Sequence, residues 1–216
     1  MKALVTGATG FIGACLVHQL IREGYDTHVF AREQSNCWRL QHVLPFVTRH
    51  NVDLTDFDAV KKTVSDVKPN LIFHLATYGG FAFQREWQNI FLANFMGTVN
   101  LVQACEKVGF DYFVNTGSSS EYGLKEAVMS EESTLTPVSD YGVSKAAATL
   151  YCQSEALQKN LPIVTVRLFS PYGPWDDPRR FIPWCVKEMM AGGKIKLLTP
   201  DAVRDYVYID DVVAFY

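Results

Sequence analysis

Short apolar runs rich in Val, Ile and Phe alternate along the chain with longer stretches in which apolar residues recur every three or four positions. The runs have the pattern of strands buried on both faces, and the stretches that of helices with one apolar side. Their alternation predicts repeated strand–helix units folding into an α/β, doubly wound parallel sheet. Strands are expected near Lys2–Thr6, Thr27–Ala31, Val47–Asn51, Leu71–Leu75, Tyr112–Thr116, Ile163–Leu168 and Lys194–Leu198. Helices are expected over Ile12–Glu23, Phe57–Val67, Trp87–Val108, Gly142–Lys159 and Arg179–Ala191. The pattern changes at Ser170, after which Pro171, Pro174, Pro178 and Pro183 bring in loop chemistry. Residues 1–169 therefore read as one layered domain. Residues 170–216 read as the start of a small second lobe, apparently truncated inside the helical pattern of Asp210–Tyr216.

A chain of 216 residues with 48% apolar content can bury a sizeable core. Its net charge of −3, with the basic residues scattered, offers no surface for phosphate backbones, so nucleic acid is not an expected partner. Five widely spaced cysteines without a Cys-x-x-Cys pair predict reduced thiols, no metal site and a cytoplasmic location. Met1 leads straight into Ala3-Leu4-Val5, too short a run for a signal peptide, and no run reaches membrane-spanning length.

The most informative stretch is Thr6-Gly7-Ala8-Thr9-Gly10-Phe11-Ile12-Gly13, which follows the first strand and opens the first helix. Gly7 permits the tight turn, Gly10 lets backbone approach a pyrophosphate, and Gly13 lets helix and strand pack closely. The helix N-terminus adds free N–H groups and a positive dipole end. This predicts a Rossmann-type domain binding NAD or NADP, and the Gly-x-x-Gly-x-x-Gly spacing is that of short-chain dehydrogenases. An acidic residue ending the second strand would bind a ribose 2′-hydroxyl, but that end reads Val29-Phe30-Ala31-Arg32. Arg32 suits a 2′-phosphate, which favours NADP, although a solvated loop charge is the alternative.

Tyr141 and Lys145 stand four apart at the start of a predicted helix and so share a face. An ammonium beside a phenol lowers the phenol pKa and poises it to exchange a proton with a hydroxyl. Ser118 follows the fifth strand at its carboxyl end and is the candidate donor to the reacting oxygen; a helix-capping role for Ser119 or Ser120 is the alternative.

With these elements in order, the chain resembles the extended short-chain dehydrogenase/reductase family, the NAD(P)-dependent epimerase/dehydratase group that acts on nucleotide sugars. Further similar segments are Asp53-Leu54-Thr55-Asp56, His74-Leu75-Ala76, Asn94-Phe95-Met96-Gly97-Thr98, Arg167 to Pro174 and Arg204 to Asp211. The resemblance implies Ser118, Tyr141 and Lys145 as catalytic residues. It implies a cofactor set of Gly7, Thr9, Gly10, Phe11, Ile12, Gly13, Arg32, Asp53, Leu54, Leu75, Ala76, Thr77, Asn94, Thr116 and Ser170, together with Tyr141 and Lys145. Tyr78, Ser118, Ser119, Ser120, Ser170, Arg179 and Arg204 would meet the nucleotide-diphosphate sugar. For Arg204 a surface ion pair with Asp205 or Asp201 is the alternative.

Two substitutions depart from the family pattern. Ser170 replaces a common Asn, and Ser119-Ser120 replaces the Asp-Glu pair of the 4,6-dehydratases, which disfavours dehydration. The implied activity is epimerisation by transient hydride transfer at sugar C4. An NADPH-dependent 4-keto-6-deoxyhexose nucleotide reductase and a noncatalytic dinucleotide-binding module are the alternatives. A homodimer through a four-helix interface of Trp87–Val108 and Gly142–Lys159 is expected by analogy.

Overall fold

The computed structural model describes every residue except Glu126 and Leu198. Its strands are β1 (Lys2–Thr6), β2 (Asp26–Ala31), β3 (Val47–Asn51), β4 (Leu71–His74), β5 (Tyr112–Ser118), β6 (Ile163–Leu168), β7 (Ser170–Tyr172) and β8 (Tyr206–Tyr208). Its α-helices are α1 (Phe11–Arg22), α2 (Phe57–Val67), α3 (Trp87–Phe91), α4 (Gly97–Val108), α5 (Asp140–Lys159), α6 (Phe181–Met190) and α7 (Ile209–Phe215). None is long and apolar enough to cross a membrane.

The first six strands form one parallel sheet in the order β3-β2-β1-β4-β5-β6. Side chains alternate across it and feed two cores. Ala3, Val5, Phe73 and Val114 pack with Leu16, Val17 and Leu20 of α1 and with Ile209, Val212 and Val213 of α7. Leu4, Ile72 and Phe113 pack on the other face with Val60 and Val64 of α2, Leu101 and Val102 of α4, and Cys152 of α5. Each such buried side chain contributes about 1.5–3 kcal/mol against the entropy of ordering the chain. The strand order reverses between β1 and β4, which opens a crevice at the carboxyl ends of these strands.

Helix boundaries follow local chemistry. Asp56 caps α2 by accepting from the Ala59 N–H at 3.0 Å. Ser139 caps α5 by accepting from the Gly142 N–H at 3.1 Å. The long helix expected over Trp87–Val108 is continuous but passes through one π-helical turn, Leu92–Met96, between α3 and α4. Such a turn leaves no mark in a 3.6-residue pattern.

Two expectations need correction. Lys194–Leu197 forms no strand, and Leu198 lies outside the described residues; the run follows the Gly192-Gly193 break and, among the described residues, meets no sheet edge. Instead Ser170–Tyr172 and Tyr206–Tyr208 make a small parallel pair, with Ser170 opposite Tyr206. Pro171 had masked β7, yet a proline is tolerated on a two-stranded edge, where an N–H goes unused. After β8 the chain returns to the first layer, since α7 packs against α1.

A buried imidazole ties β1 and β4 to α4. His74 Nδ1 lies 2.7 Å from Thr6 Oγ1, and Nε2 lies 2.9 Å from Thr98 Oγ1. Thr98 donates to the Asn94 carbonyl at 2.6 Å, and Thr6 Oγ1 accepts from the Ala76 N–H at 3.3 Å. These directions make Nε2 the protonated nitrogen and Nδ1 an acceptor. Burial, reinforced by the nearby Lys145 charge, pulls the imidazole from the ordinary 6.5 down to about 3. The unfolded chain therefore binds a proton below pH 6.5 that the folded His74 refuses. His74 contributes stability that is whole above this value and is lost as pH falls toward 3, on the order of several kcal/mol. Urea unfolding between pH 7.5 and 4 should show a smaller acid-induced loss in His74→Gln than in the parent chain; equal losses would remove His74 from this role.

Candidate active site

At the crevice the glycine turn is set by contacts that no side chain could survive. Gly7 has φ +68°, and a Cβ there would lie 2.5 Å from the Ala76 nitrogen and the Leu75 carbonyl carbon. A Cβ on Gly13 would lie 2.3 Å from the Gly7 carbonyl oxygen, so α1 rests directly on the turn. Gly10 is the N-cap of α1 and brings no capping side chain. The first N–H groups of the helix thus have no intrahelical partner and sit at its positive dipole end.

A cavity of about 450 Å³ opens here and brings together Gly7, Thr9, Gly10, Arg32, Asp53 and Leu54 with the post-β4 residues Leu75, Ala76, Thr77 and Tyr78. Phe11, Ile12 and Gly13 form the adjoining first turn of α1. Asp53 Oδ1 accepts from the Thr55 N–H at 2.9 Å and from its hydroxyl at 2.8 Å, while Asn100 of α4 donates to the Leu54 carbonyl at 2.8 Å. The segment lining the cavity is therefore held from both sides. β2 ends on buried Ala31, and Arg32 follows with its side chain exposed at the rim. Its backbone is held in a turn by the Ser35 N–H at 3.0 Å and by Arg49 at 2.8 Å. A larger cavity of about 630 Å³ lies between Leu20, Phe73, Val114 and Val166 on the α1 and α7 face; it holds none of the expected site residues.

The three candidate catalytic residues come from two elements that touch. Ser118 ends β5, and the 3₁₀ turn Ser119–Glu121 follows. Tyr141 and Lys145 lie on the first turns of α5. Between them Gly142 meets the serine turn, where an added Cβ would lie 2.6 Å from the Ser120 carbonyl oxygen. Tyr141 is half-buried and Lys145 is 2% exposed. Burial pulls the Lys145 ammonium from 10.5 down to about 8, with Glu121 opposing the fall. Ser118 Oγ accepts from the Ser120 N–H at 3.1 Å, which leaves its own hydrogen free to donate.

Two of the residues expected at the cofactor hold protein contacts of their own. Asn94, expected at the cofactor, is wholly buried and its amide is saturated by protein groups. Oδ1 accepts from the Tyr78 N–H at 2.7 Å and Thr77 Oγ1 at 3.1 Å; Nδ2 donates to the Tyr78 carbonyl at 2.8 Å and Ser144 Oγ at 2.9 Å. Ser144 in turn donates to the Tyr141 carbonyl at 2.8 Å. Asn94 thus braces the loop after β4 against the Tyr141 turn. Thr116, also expected at the cofactor, places its hydroxyl 2.6 Å from the Tyr216 phenol.

Ser170 lies in β7, its N–H bonded to the Asp205 carbonyl at 3.0 Å, outside the cavity. Arg179 pairs with Asp177 through both carboxylate oxygens, at 2.8 and 2.6 Å, and lies over the rings of Phe81 and Phe83. Arg204 is exposed and bonds the Val203 carbonyl; among the described residues no carboxylate pairs with it, so the anticipated ion pair with Asp201 or Asp205 is not formed. Gly142, Glu121 and the saturation of Asn94 were not apparent in the sequence. The one available signal was the run Ser-Glu-Tyr-Gly that ends the serine turn.

A family model described as the NAD dependent epimerase/dehydratase family matches residues 3–216. Among curated proteins, an uncharacterized UDP-glucose epimerase YtcB of Bacillus subtilis is 30% identical over 99% of this chain and 70% of its own length. UDP-glucose 4-epimerase of Mycolicibacterium smegmatis is 30% identical over 99% of this chain and 71% of its own. Among solved structures, UDP-glucose 4-epimerase of Thermotoga maritima, with UDP-glucose, matches at TM-score 0.89 and 28% identity, covering 99% of this chain and 71% of that one. UDP-glucuronic acid 4-epimerase of Bacillus cereus, in complex with UDP-glucuronic acid and NAD, matches at 0.83 and 28%, with the same coverage.

The contact at Gly142 can be tested directly. Gly142→Ala should cost about 1–3 kcal/mol through overpacking against Ser120. It should also speed amide exchange in Ser119–Tyr122 while leaving β1 and α1 unchanged. An unaltered exchange pattern at full stability would show that helix and serine turn do not meet as described.

Proposed function

The chain belongs to the NAD dependent epimerase/dehydratase family, and from that premise we propose that it is a nucleotide-sugar epimerase acting by transient hydride transfer at sugar C4. The observation that carries this reading is the contact of the serine turn with the first turn of α5, which brings Ser118 beside the element bearing Tyr141 and Lys145. The glycine turn, the uncapped helix end and the cavity that Gly7, Gly10 and Ala76 line suit a dinucleotide and its pyrophosphate. Bound nicotinamide would accept and return the hydride. Tyr141, one helical turn from the buried Lys145 on α5, takes the sugar hydroxyl proton and later gives it back. Ser118 donates to the same oxygen and holds it as charge develops. Ser119 and Ser120 supply no acid for loss of water.

Relatives with NAD bound support NAD as cofactor. Arg32, placed at the cavity rim where no carboxylate ends β2, supports NADP over NAD and with it a second reading, a 4-ketoreductase that consumes NADPH. Arg204, exposed and without a paired carboxylate among the described residues, would meet the substrate diphosphate from the 170–216 lobe, with Ser170 and Arg179 as further substrate contacts in this reading. Exposed Trp87, Leu92, Met96 and Leu150 on α3, the π turn and α5 support a homodimer through a four-helix interface. The free thiols of all five cysteines support a cytoplasmic protein.

Turnover separates the readings. UDP-glucose or UDP-glucuronate should be interconverted with its 4-epimer without net cofactor use, whereas a reductase would consume NADPH with a 4-keto sugar nucleotide. Dinucleotide binding with neither activity would leave only a binding module. Tyr141→Phe should lower turnover about 10²-fold or more while sparing cofactor affinity, and unchanged turnover would remove Tyr141 from its role. Arg32→Ala should weaken NADPH about tenfold or more and leave NADH unaffected; equal effects on both would decide against a 2′-phosphate contact.

A further inference from the structure

Glu121 is fully buried, an expensive place for a carboxylate unless its oxygens are paired. Both are. Oε1 accepts from the Ser118 N–H at 2.7 Å, and Oε2 accepts from Arg167 Nε at 2.9 Å. Arg167 stands opposite Gly117 on the neighbouring strand, is itself largely buried, and donates to the Tyr122 hydroxyl at 3.1 Å. Gly117 makes the room, since a Cβ there would lie 2.6 Å from Oε1. Arg167 on β6 and the nearby pair Gly117 and Glu121 thus build one polar anchor beneath the serine turn.

We propose that Glu121 is a positioning residue for the catalytic group: anchored by Arg167, it fixes the backbone of Ser118 and sets a negative charge near buried Lys145. Its two effects are separable. The hydrogen bond to Ser118 holds the serine turn in the form that meets Gly142, so Ser118 faces the start of α5 at constant register. The charge opposes the burial that pulls Lys145 down to about 8, so more of the lysine stays protonated near neutral pH on the helix turn that also carries Tyr141. The catalytic meaning rests on the Tyr141 and Lys145 reading above, but the test needs no turnover.

The experiment compares the parent chain with Glu121→Gln and Glu121→Ala, each with labelled lysine, by NMR titration of the Lys145 side chain and amide exchange at Ser118. Glu121→Gln keeps an acceptor but loses the charge. It should retain protection at Ser118 while Lys145 titrates lower by roughly half a pH unit or more. Glu121→Ala should also speed Ser118 exchange about tenfold or more. If the alanine chain does not fold, the glutamine chain alone decides. Lys145 titrating at the same pH in Glu121→Gln, or full Ser118 protection in a folded Glu121→Ala, would overturn the proposal. Failure of the epimerase assays would alter neither readout, so the two readings fall separately.

Discussion

One chain of buried hydrogen bonds joins the parts of this molecule that a dinucleotide and a reacting hydroxyl would share. It runs from the Ala76 N–H through Thr6, His74 and Thr98 to the Asn94 carbonyl. The Asn94 amide then continues it to Tyr78 and, through Ser144, to the carbonyl of Tyr141. Every donor in it has an acceptor, which is what permits so many polar groups in a dry interior. The glycine turn, the loop after β4 and the start of α5 are therefore placed relative to one another by directional bonds as well as by apolar packing, which alone tolerates small shifts.

The π turn at Leu92–Met96 belongs to the same arrangement. Asn94 sits in its middle, where the altered helical phase directs its amide toward the β4 loop on one side and α5 on the other. An uninterrupted α-helix would rotate that side chain away from one of its partners. The local departure from regular geometry is compensated by four hydrogen bonds at one residue.

Charge is handled by a different means on each side of the site. His74 stays neutral well below its ordinary range, because burial makes the proton costly. Glu121 is accommodated in the interior by pairing with Arg167 and accepting from the Ser118 amide. Lys145 lies between these extremes, pulled down to about 8 by burial while the Glu121 charge opposes the fall. Such a group can change the electrostatics of a neighbouring phenol at modest cost, a condition that suits proton exchange.

The sequence by itself determined the layered α/β fold, six sheet strands and the glycine turn, because these rest on local signals: strand and helix periodicity, and glycines next to a strand and a helix. It also supplied Ser118, Tyr141 and Lys145 as candidates, since their residue types and order are readable along the chain. Only the tertiary structure decided which polar residues face one another. The hydrogen-bonding groups of Asn94 and Thr116 are turned to Tyr78, Ser144 and Tyr216, partners up to 100 residues away. The β7 and β8 pair was illegible because three-residue strands carry no periodicity and their pairing joins positions 36 residues apart, Ser170 and Tyr206. The roles of Gly142 and Glu121 were hidden for the same reason. A close approach or a buried ion pair is a relation between distant segments, and it acquires physical meaning only when folding brings them within a few ångströms.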